Sequence, residues 1–253
     1  MTSNDRYSIK VFKVGESEVP GAEVYWMKDF WTWERLSFHI VLAYNSERTF
    51  LINTGMPLDL SIRNQEMKKF AGDRAIFRSE DSIKILKDAG FPPDSIDFVA
   101  LTPVQDYTIG RLDEFRRSKI FIYRDGWVRD IAAPAYAYFH NRDLFIPRRI
   151  FDFVYGEGWK NIVFYDGEMD LVPGIRAIPV GCHHRSSVAF VINTRSGKVV
   201  FTDASFKKEN VRNRIPIGIA ENIYECLNAY EIMEKIGEIL PAYDPAIDGL
   251  VIE

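Results

Sequence analysis

The sequence predicts an α/β protein arranged as an αββα sandwich. Short β-rich runs cluster in the first and last thirds of the chain, helical patterns lie between and after them, and hairpin-length turns join neighbouring strands. A doubly wound sheet would alternate strand and helix from end to end. With 253 residues, 47% apolar and 27% charged, the chain reads as one domain over residues 1–253, able to bury a large core.

The elements follow in order. Tyr7 to Val14 is the first predicted strand, and Phe38 to Tyr44 pairs with Thr49 to Asn53 through the turn Asn45-Ser46-Glu47-Arg48. The run Trp26 to Trp33 concentrates aromatic residues and reads either as core or as a loop closing over a pocket. Ser79 is placed as a helix N-cap, with Glu80 and Asp81 in the first turn where the helix dipole favours them. Ile83, Ile85, Leu86 and Phe91 give that helix its apolar face, and Gly90 with Pro92-Pro93 stops it. Strands are predicted at Ile96 to Leu101 and Lys119 to Tyr123, with the loop Thr102 to Gly110 between them. Residues 127–160, rich in Tyr, Phe and Arg, read as a helical insertion or lid, helical from Asp130 to Asp143. Strands return at Ile162 to Tyr165, Ile175 to Val180, Val188 to Thr194 and Val199 to Thr202. A helix from Ala220 to Gly237 then sets Ile223, Leu227, Tyr230 and Met233 on one face, and Ile239 to Asp244 closes the core.

Composition excludes several classes of function. The net charge is −4 and the basic residues are scattered, so nucleic acid is not an expected partner. No apolar run approaches the roughly 18 residues a membrane helix needs, so no membrane partner is expected. Met1 to Lys10 is polar and carries no signal-peptide pattern. Cys182 and Cys226 sit in different contexts and suggest no disulfide framework, which points to the cytoplasm. A homodimer is allowed by all of this.

Five stretches, in order, carry a family resemblance. They are Leu51-Ile52-Asn53-Thr54-Gly55-Met56-Pro57, the loop segment IDFVALTPVQDYTIG from Ile96 to Gly110, VPGIRAIPVGCHHRSSVAFVINT from Val172 to Thr194, VVFTDASFKKEN from Val199 to Asn210, and ILPAYDP from Ile239 to Pro245. Together they resemble the metallo-β-lactamase superfamily, in particular its N-acyl homoserine lactonase branch. The resemblance implies an αββα sandwich and a hydrolase whose two zinc ions generate hydroxide at neutral pH. It places His183 on a metal ligand and Asp203 on the bridging aspartate.

The remaining ligand positions depart from that pattern. Where the family has His-x-His-x-Asp-His, this chain has Pro103, Gln105, Tyr107 and Thr108, and Tyr243 stands at the last histidine. Proline has no donor, and Gln105 and Thr108 are weak toward zinc. Asn53 replaces the aspartate of the Asp-Thr-Gly turn, and Phe206 replaces a tyrosine that helps hold the oxyanion. The resemblance thus implies a degenerate metal site.

Three readings of the remaining polar cluster stay open. Tyr107, Tyr243, His183 and Asp203 could hold a single hard metal ion, but their phenols must first lose protons. Alternatively, Asp203 orients His183 as a general base, a tyrosine donates a proton, and Cys182 is a candidate nucleophile. In the third reading His183 and Asp203 are a satisfied pair and the cleft only binds. The expectation taken forward is a hydrolase with no cofactor, acting on a small ester, lactone or related carbonyl substrate. His183, Asp203, Tyr107 and Tyr243 are its catalytic candidates. Gln105, Asp106, Thr108, Cys182, His184, Phe206 and Trp31 are its substrate-binding candidates, the last because the resemblance places the aromatic run beside the pocket. His140, with Tyr136, reads as packing or pocket wall.

Overall fold

The computed structural model describes residues 5–132 and 141–253. Two sheets and their flanking helices enclose one apolar core. Among the described residues the larger sheet has eight strands. In spatial order they are Val251–Ile252, Ser8–Pro20, Trp33–Tyr44, Thr49–Ile52, Phe98–Ala100, Lys119–Tyr123 and Ile162–Tyr165, with Arg78–Ser79 paired to Ser8–Pro20. The second sheet runs Glu238–Pro241, Lys198–Thr202, Val188–Asn193, Ile175–Pro179, Met169–Val172.

Local sequence explains the pairing. Ser8–Pro20 alternates buried and partly buried residues and pairs antiparallel with Trp33–Tyr44 along its whole length, with a register shift between Lys13 and Gly15. The next strands inward pair parallel, and Phe50, Leu51, Ile52, Val99, Ala100 and Ile120 are all buried. Parallel strands are covered on both faces, so continuous apolar runs suit them. Phe50 and Phe98 stack with centroids 6.1 Å apart, and Phe50 and Phe121 at 6.2 Å.

The helices show where pattern reading succeeds and fails. Ile223–Ile236 lies against Lys198–Thr202 and Glu238–Pro241, and is capped by Asn222, which accepts from the Tyr224 and Glu225 amides. Helix Ser82–Asp88 is capped by Asp81, which accepts from Ile83 N and Lys84 N, and not by Ser79. Ser79 is instead committed to a strand pair with Gly15. Ser61–Ala71 was not expected, because only Arg63 and Met67 of its polar sequence face inward. Within the predicted insertion, helices span Arg124–Ile131 and Arg148–Tyr155, with a short 3-10 turn at Arg142–Leu144. The helix predicted from Asp130 to Asp143 falls mostly on residues 133–140, outside the described residues, and the helix Arg124–Ile131 overlaps it only at its last two positions. Tyr136, Tyr138 and His140 lie outside the described residues.

Four loops leave the strand ends and meet. They are residues 102–110, 181–187, 203–207 and 242–244, and each carries site candidates. Thr102 ties the sheets together: its hydroxyl accepts from Val188 N at 2.8 Å and donates to the Asp203 carboxylate. Asn53, at φ 63°, holds the same loop by donating to Thr102 O (3.0 Å) and accepting from Thr102 N (2.8 Å). An amide does both, whereas an aspartate could only accept.

Candidate active site

The centre of the site is a buried pair. His183 Nδ1 lies 3.1 Å from Asp203 Oδ2, with His183 3% and Asp203 0% exposed. Asp203 also accepts from the hydroxyls of Ser187 (2.5 Å) and Thr102. An ionised carboxylate only accepts, so Nδ1 carries the proton and the lone pair resides on Nε2. Burial, and next the neighbouring His184, push the imidazole down to about 4 against the pull of Asp203. His183 is therefore neutral at physiological pH.

Aromatic rings close around this pair. Phe206 meets His183 edge-on at 4.8 Å and Tyr243 at 4.7 Å, and Tyr243 meets Tyr107 at 6.1 Å. Burial raises both phenols above their ordinary range, so they remain O–H donors. The Tyr243 hydroxyl is buried without a hydrogen-bond partner, and so is the Gln105 side-chain nitrogen. Both residues line a cavity of about 780 Å³, together with His183, His184, Tyr107, Phe206, Leu36, Phe38 and Phe77. That size suits a small molecule, and the walls are mostly apolar.

Other candidates are placed elsewhere. Asp106 is not a free carboxylate: Arg63 Nε donates to its two oxygens at 3.0 and 2.7 Å, and both side chains are buried. The Thr108 hydroxyl is directed at the carbonyls of Pro103 (2.5 Å) and Gln105 (2.8 Å), so it shapes the loop. Cys182 forms a disulfide with Cys226, which corrects its reading as a nucleophile: it has no thiol to ionise. The two cysteines are 44 positions apart, and only packing the helix Ile223–Ile236 against the 181–187 loop brings them together. Such a bond persists in oxidising surroundings, which the reading of two unrelated thiols did not anticipate. Trp31 is 96% exposed and does not line the cavity. No helix among the described residues is long and apolar enough to cross a membrane.

Sequence reasoning missed Arg63, Glu23, Asp130 and Glu221. Glu23, on the short helix Gly21–Val24, lines the cavity with a buried, unpartnered Oε1, and burial raises it to about 7. A carboxyl whose folded pKa lies above its unfolded value stabilises the fold while protonated, and that contribution is lost as pH rises from about 4.5 past 7. Glu23→Gln should therefore be more stable than the parent by about 2–3 kcal/mol at pH 8, with no gap below about pH 4. Urea unfolding at both pH values checks this; a gap independent of pH would refute it. Asp130 and Glu221 join His184 in one cluster, with one ligand atom from each lying within 4.8 Å of the others.

Comparison with described protein families finds no match, and none is found among curated protein sequences. Solved structures do match. An N-acyl homoserine lactone hydrolase with the product N-hexanoyl-L-homoserine bound at its catalytic metal center superposes with TM-score 0.75 at 18% identity, over 94% of each chain. A hydrolase in the beta lactamase superfamily matches 98% of this chain and 90% of its own, with TM-score 0.68 at 12% identity. A dizinc quorum-quenching lactonase in complex with a product matches 94% and 87%, with TM-score 0.65 at 14% identity. The chain thus has the metallo-β-lactamase fold. Its structural neighbours include N-acyl homoserine lactonases.

Several side chains at the loop positions singled out in the sequence are already committed within the protein. Pro103 offers no side-chain donor, the Thr108 hydroxyl is directed at backbone carbonyls, Asp203 accepts from Thr102, Ser187 and His183, and both phenols hold their protons. The expectation of no cofactor is nonetheless corrected. A dizinc lactonase shares this fold, and Asp130, His184 and Glu221 form a group with the donors to hold a metal ion.

Proposed function

We propose that the protein is a small-molecule hydrolase acting on an ester, lactone or related carbonyl compound with an apolar arm. One observation carries the reading: a neutral histidine backed by a carboxylate lines the same apolar cavity as two buried, unpartnered hydrogen-bond donors, Tyr243 Oη and Gln105 Nε2. Buried polar groups are ordinarily paired, so idle donors facing a cavity suit an oxygen supplied by a ligand. The fold of the structural neighbours supports the same class of reaction.

The chemistry follows from the side chains. His183 Nε2 takes a proton from water as the water oxygen attacks the carbonyl carbon, and Asp203 stabilises the imidazolium that forms. Tyr243 and Gln105 donate to the oxyanion of the tetrahedral intermediate. When the C–O bond breaks, the proton returns from His183 to the departing alkoxide, leaving an acid and an alcohol, or a hydroxy acid from a lactone. The substrate's apolar arm rests on Leu36, Phe38 and Phe77. Val128, Ala132 and Phe145, on either side of residues 133–140, help wall the cavity.

Binding without turnover is the second reading, favoured by the near-complete burial of the dyad under Phe206. A panel of acyl lactones and p-nitrophenyl esters of increasing chain length separates the two. Turnover rising with chain length supports the hydrolase. A ligand-dependent rise in melting temperature with no product supports the binder.

A further inference from the structure

Three separate elements deliver Asp130, His184 and Glu221 to one place. Asp130 lies on the helix Arg124–Ile131, His184 in the loop after Ile175–Pro179, and Glu221 just before the helix Ile223–Ile236. All three line the cavity. We propose that they form a mononuclear site for a divalent transition-metal ion, zinc by donor preference, set beside the histidine–aspartate dyad. The inference stands whether or not the protein is a hydrolase.

Two of the three donors are buried and without a hydrogen-bond partner. Asp130 is 3% exposed, and its Oδ2 has no hydrogen-bond partner; neither does His184 Nδ1, which lies 3.4 Å from Glu221 Oε1. Burying a carboxylate oxygen without a partner is costly, and a bound cation removes that cost. Burial, helped by the Glu221 and Asp203 carboxylates and opposed by His184 and Ser186, lifts the Asp130 carboxyl to about 6. One imidazole nitrogen and two carboxylate oxygens are donors zinc accepts, and three protein ligands leave a position for water or substrate. Two donors each about 2.1 Å from an ion stand roughly 3–4 Å apart. The present span of up to 4.8 Å then needs a contraction of only about 1 Å as the ion enters.

The surroundings hold each donor in orientation, as partners behind metal ligands do. Tyr107 Oη lies 3.3 Å from His184 Nε2, which leaves Nδ1 for the ion. Arg185 Nε donates to Glu221 Oε2 at 2.6 Å, leaving Oε1, while Glu225 neutralises the same guanidinium at 2.8 Å. The Glu221 amide donates to Cys182 O at 2.8 Å, and the Cys182–Cys226 disulfide ties the His184 loop to the helix after Glu221. Gly126 brings the Asp130 helix onto this loop: a Cβ there would lie 2.4 Å from Ser186 Cα.

The test is zinc retention. Purified protein is equilibrated with zinc chloride, dialysed against metal-free buffer and assayed by elemental analysis, with cobalt(II) absorption as a second readout of the ligand set. About one equivalent should be retained. Loss of a residue merely behind a ligand costs about 10–100-fold in affinity, so Asp130→Asn, Glu221→Gln and His184→Ala should each weaken binding at least tenfold. Tyr243→Phe should leave it unchanged. Circular dichroism confirms that each variant is folded, and the isosteric Asp130→Asn and Glu221→Gln carry the decision if His184→Ala unfolds. The proposal is overturned if the parent retains no zinc. It is equally overturned if zinc persists in the Asp130→Asn/Glu221→Gln double variant, or is lost with Tyr243→Phe while both carboxylate variants keep it.

Discussion

Replacing His183 with alanine should lower kcat on whichever ester or lactone the parent turns over by about 10²–10⁴-fold, the usual range for a general base. KM should change little, because the apolar arm binds to Leu36, Phe38 and Phe77 and not to the imidazole. The pH profile separates catalysis from scaffolding. With the imidazole pushed down to about 4, the parent rate should be flat through neutral pH and fall only below about pH 4–5. An alanine variant that keeps its kcat would remove His183 from the mechanism. One that loses activity together with cooperative unfolding would instead assign it to the fold, since Nδ1 also donates to Asp203. His183→Gln distinguishes these cases, because its amide can still donate to Asp203 but cannot take the proton.

The second large effect lies in the Arg63–Asp106 pair. Both side chains are buried, and the guanidinium also faces the rings of Phe77 and Tyr107 at 5.0 Å. Arg63→Ala leaves the buried Asp106 carboxylate without its counter-charge, and should cost about 3–5 kcal/mol of folding stability. Asp106→Ala should cost a similar amount. Taking both charges away, as in Arg63→Met with Asp106→Leu, should recover most of the loss, because the penalty comes from one unpaired buried charge. Urea unfolding at pH 7 measures all three. Single-variant losses under about 1 kcal/mol would show that the pair is solvated in solution. Since Tyr107 follows Asp106 and packs on Phe38, a loosened pair should also disturb the cavity floor.

Much of the fold was legible in the chain because local patterns and tertiary packing agree there. The apolar strands Thr49–Ile52, Val188–Asn193 and Lys198–Thr202, and the one-sided helix Ile223–Ile236, leave few other ways to hide their surface. His183 and Asp203 were legible through the segments around them, and the structure sets them 3.1 Å apart. The helix Ser61–Ala71 was not, because its buried side is an arginine and a methionine with no apolar period. Its role appears only when Asp106, 43 positions later, meets Arg63.

The sequence by itself determined the αββα arrangement, and it singled out a histidine and an aspartate, His183 and Asp203, that the fold brings together. These are properties of residue type and order. Tertiary structure alone decided which side chains have partners. It consumed Asp106 with Arg63 and Cys182 with Cys226, sent Trp31 into solvent, and left Tyr243, Gln105, Glu23 and Asp130 with buried polar atoms unpaired. It also gathered Asp130, His184 and Glu221 from positions up to 91 residues apart, counting 130 to 221. No spacing rule links such residues, because their distance is set by how a helix, a loop and a disulfide-tied helix pack together, and not by the chain between them.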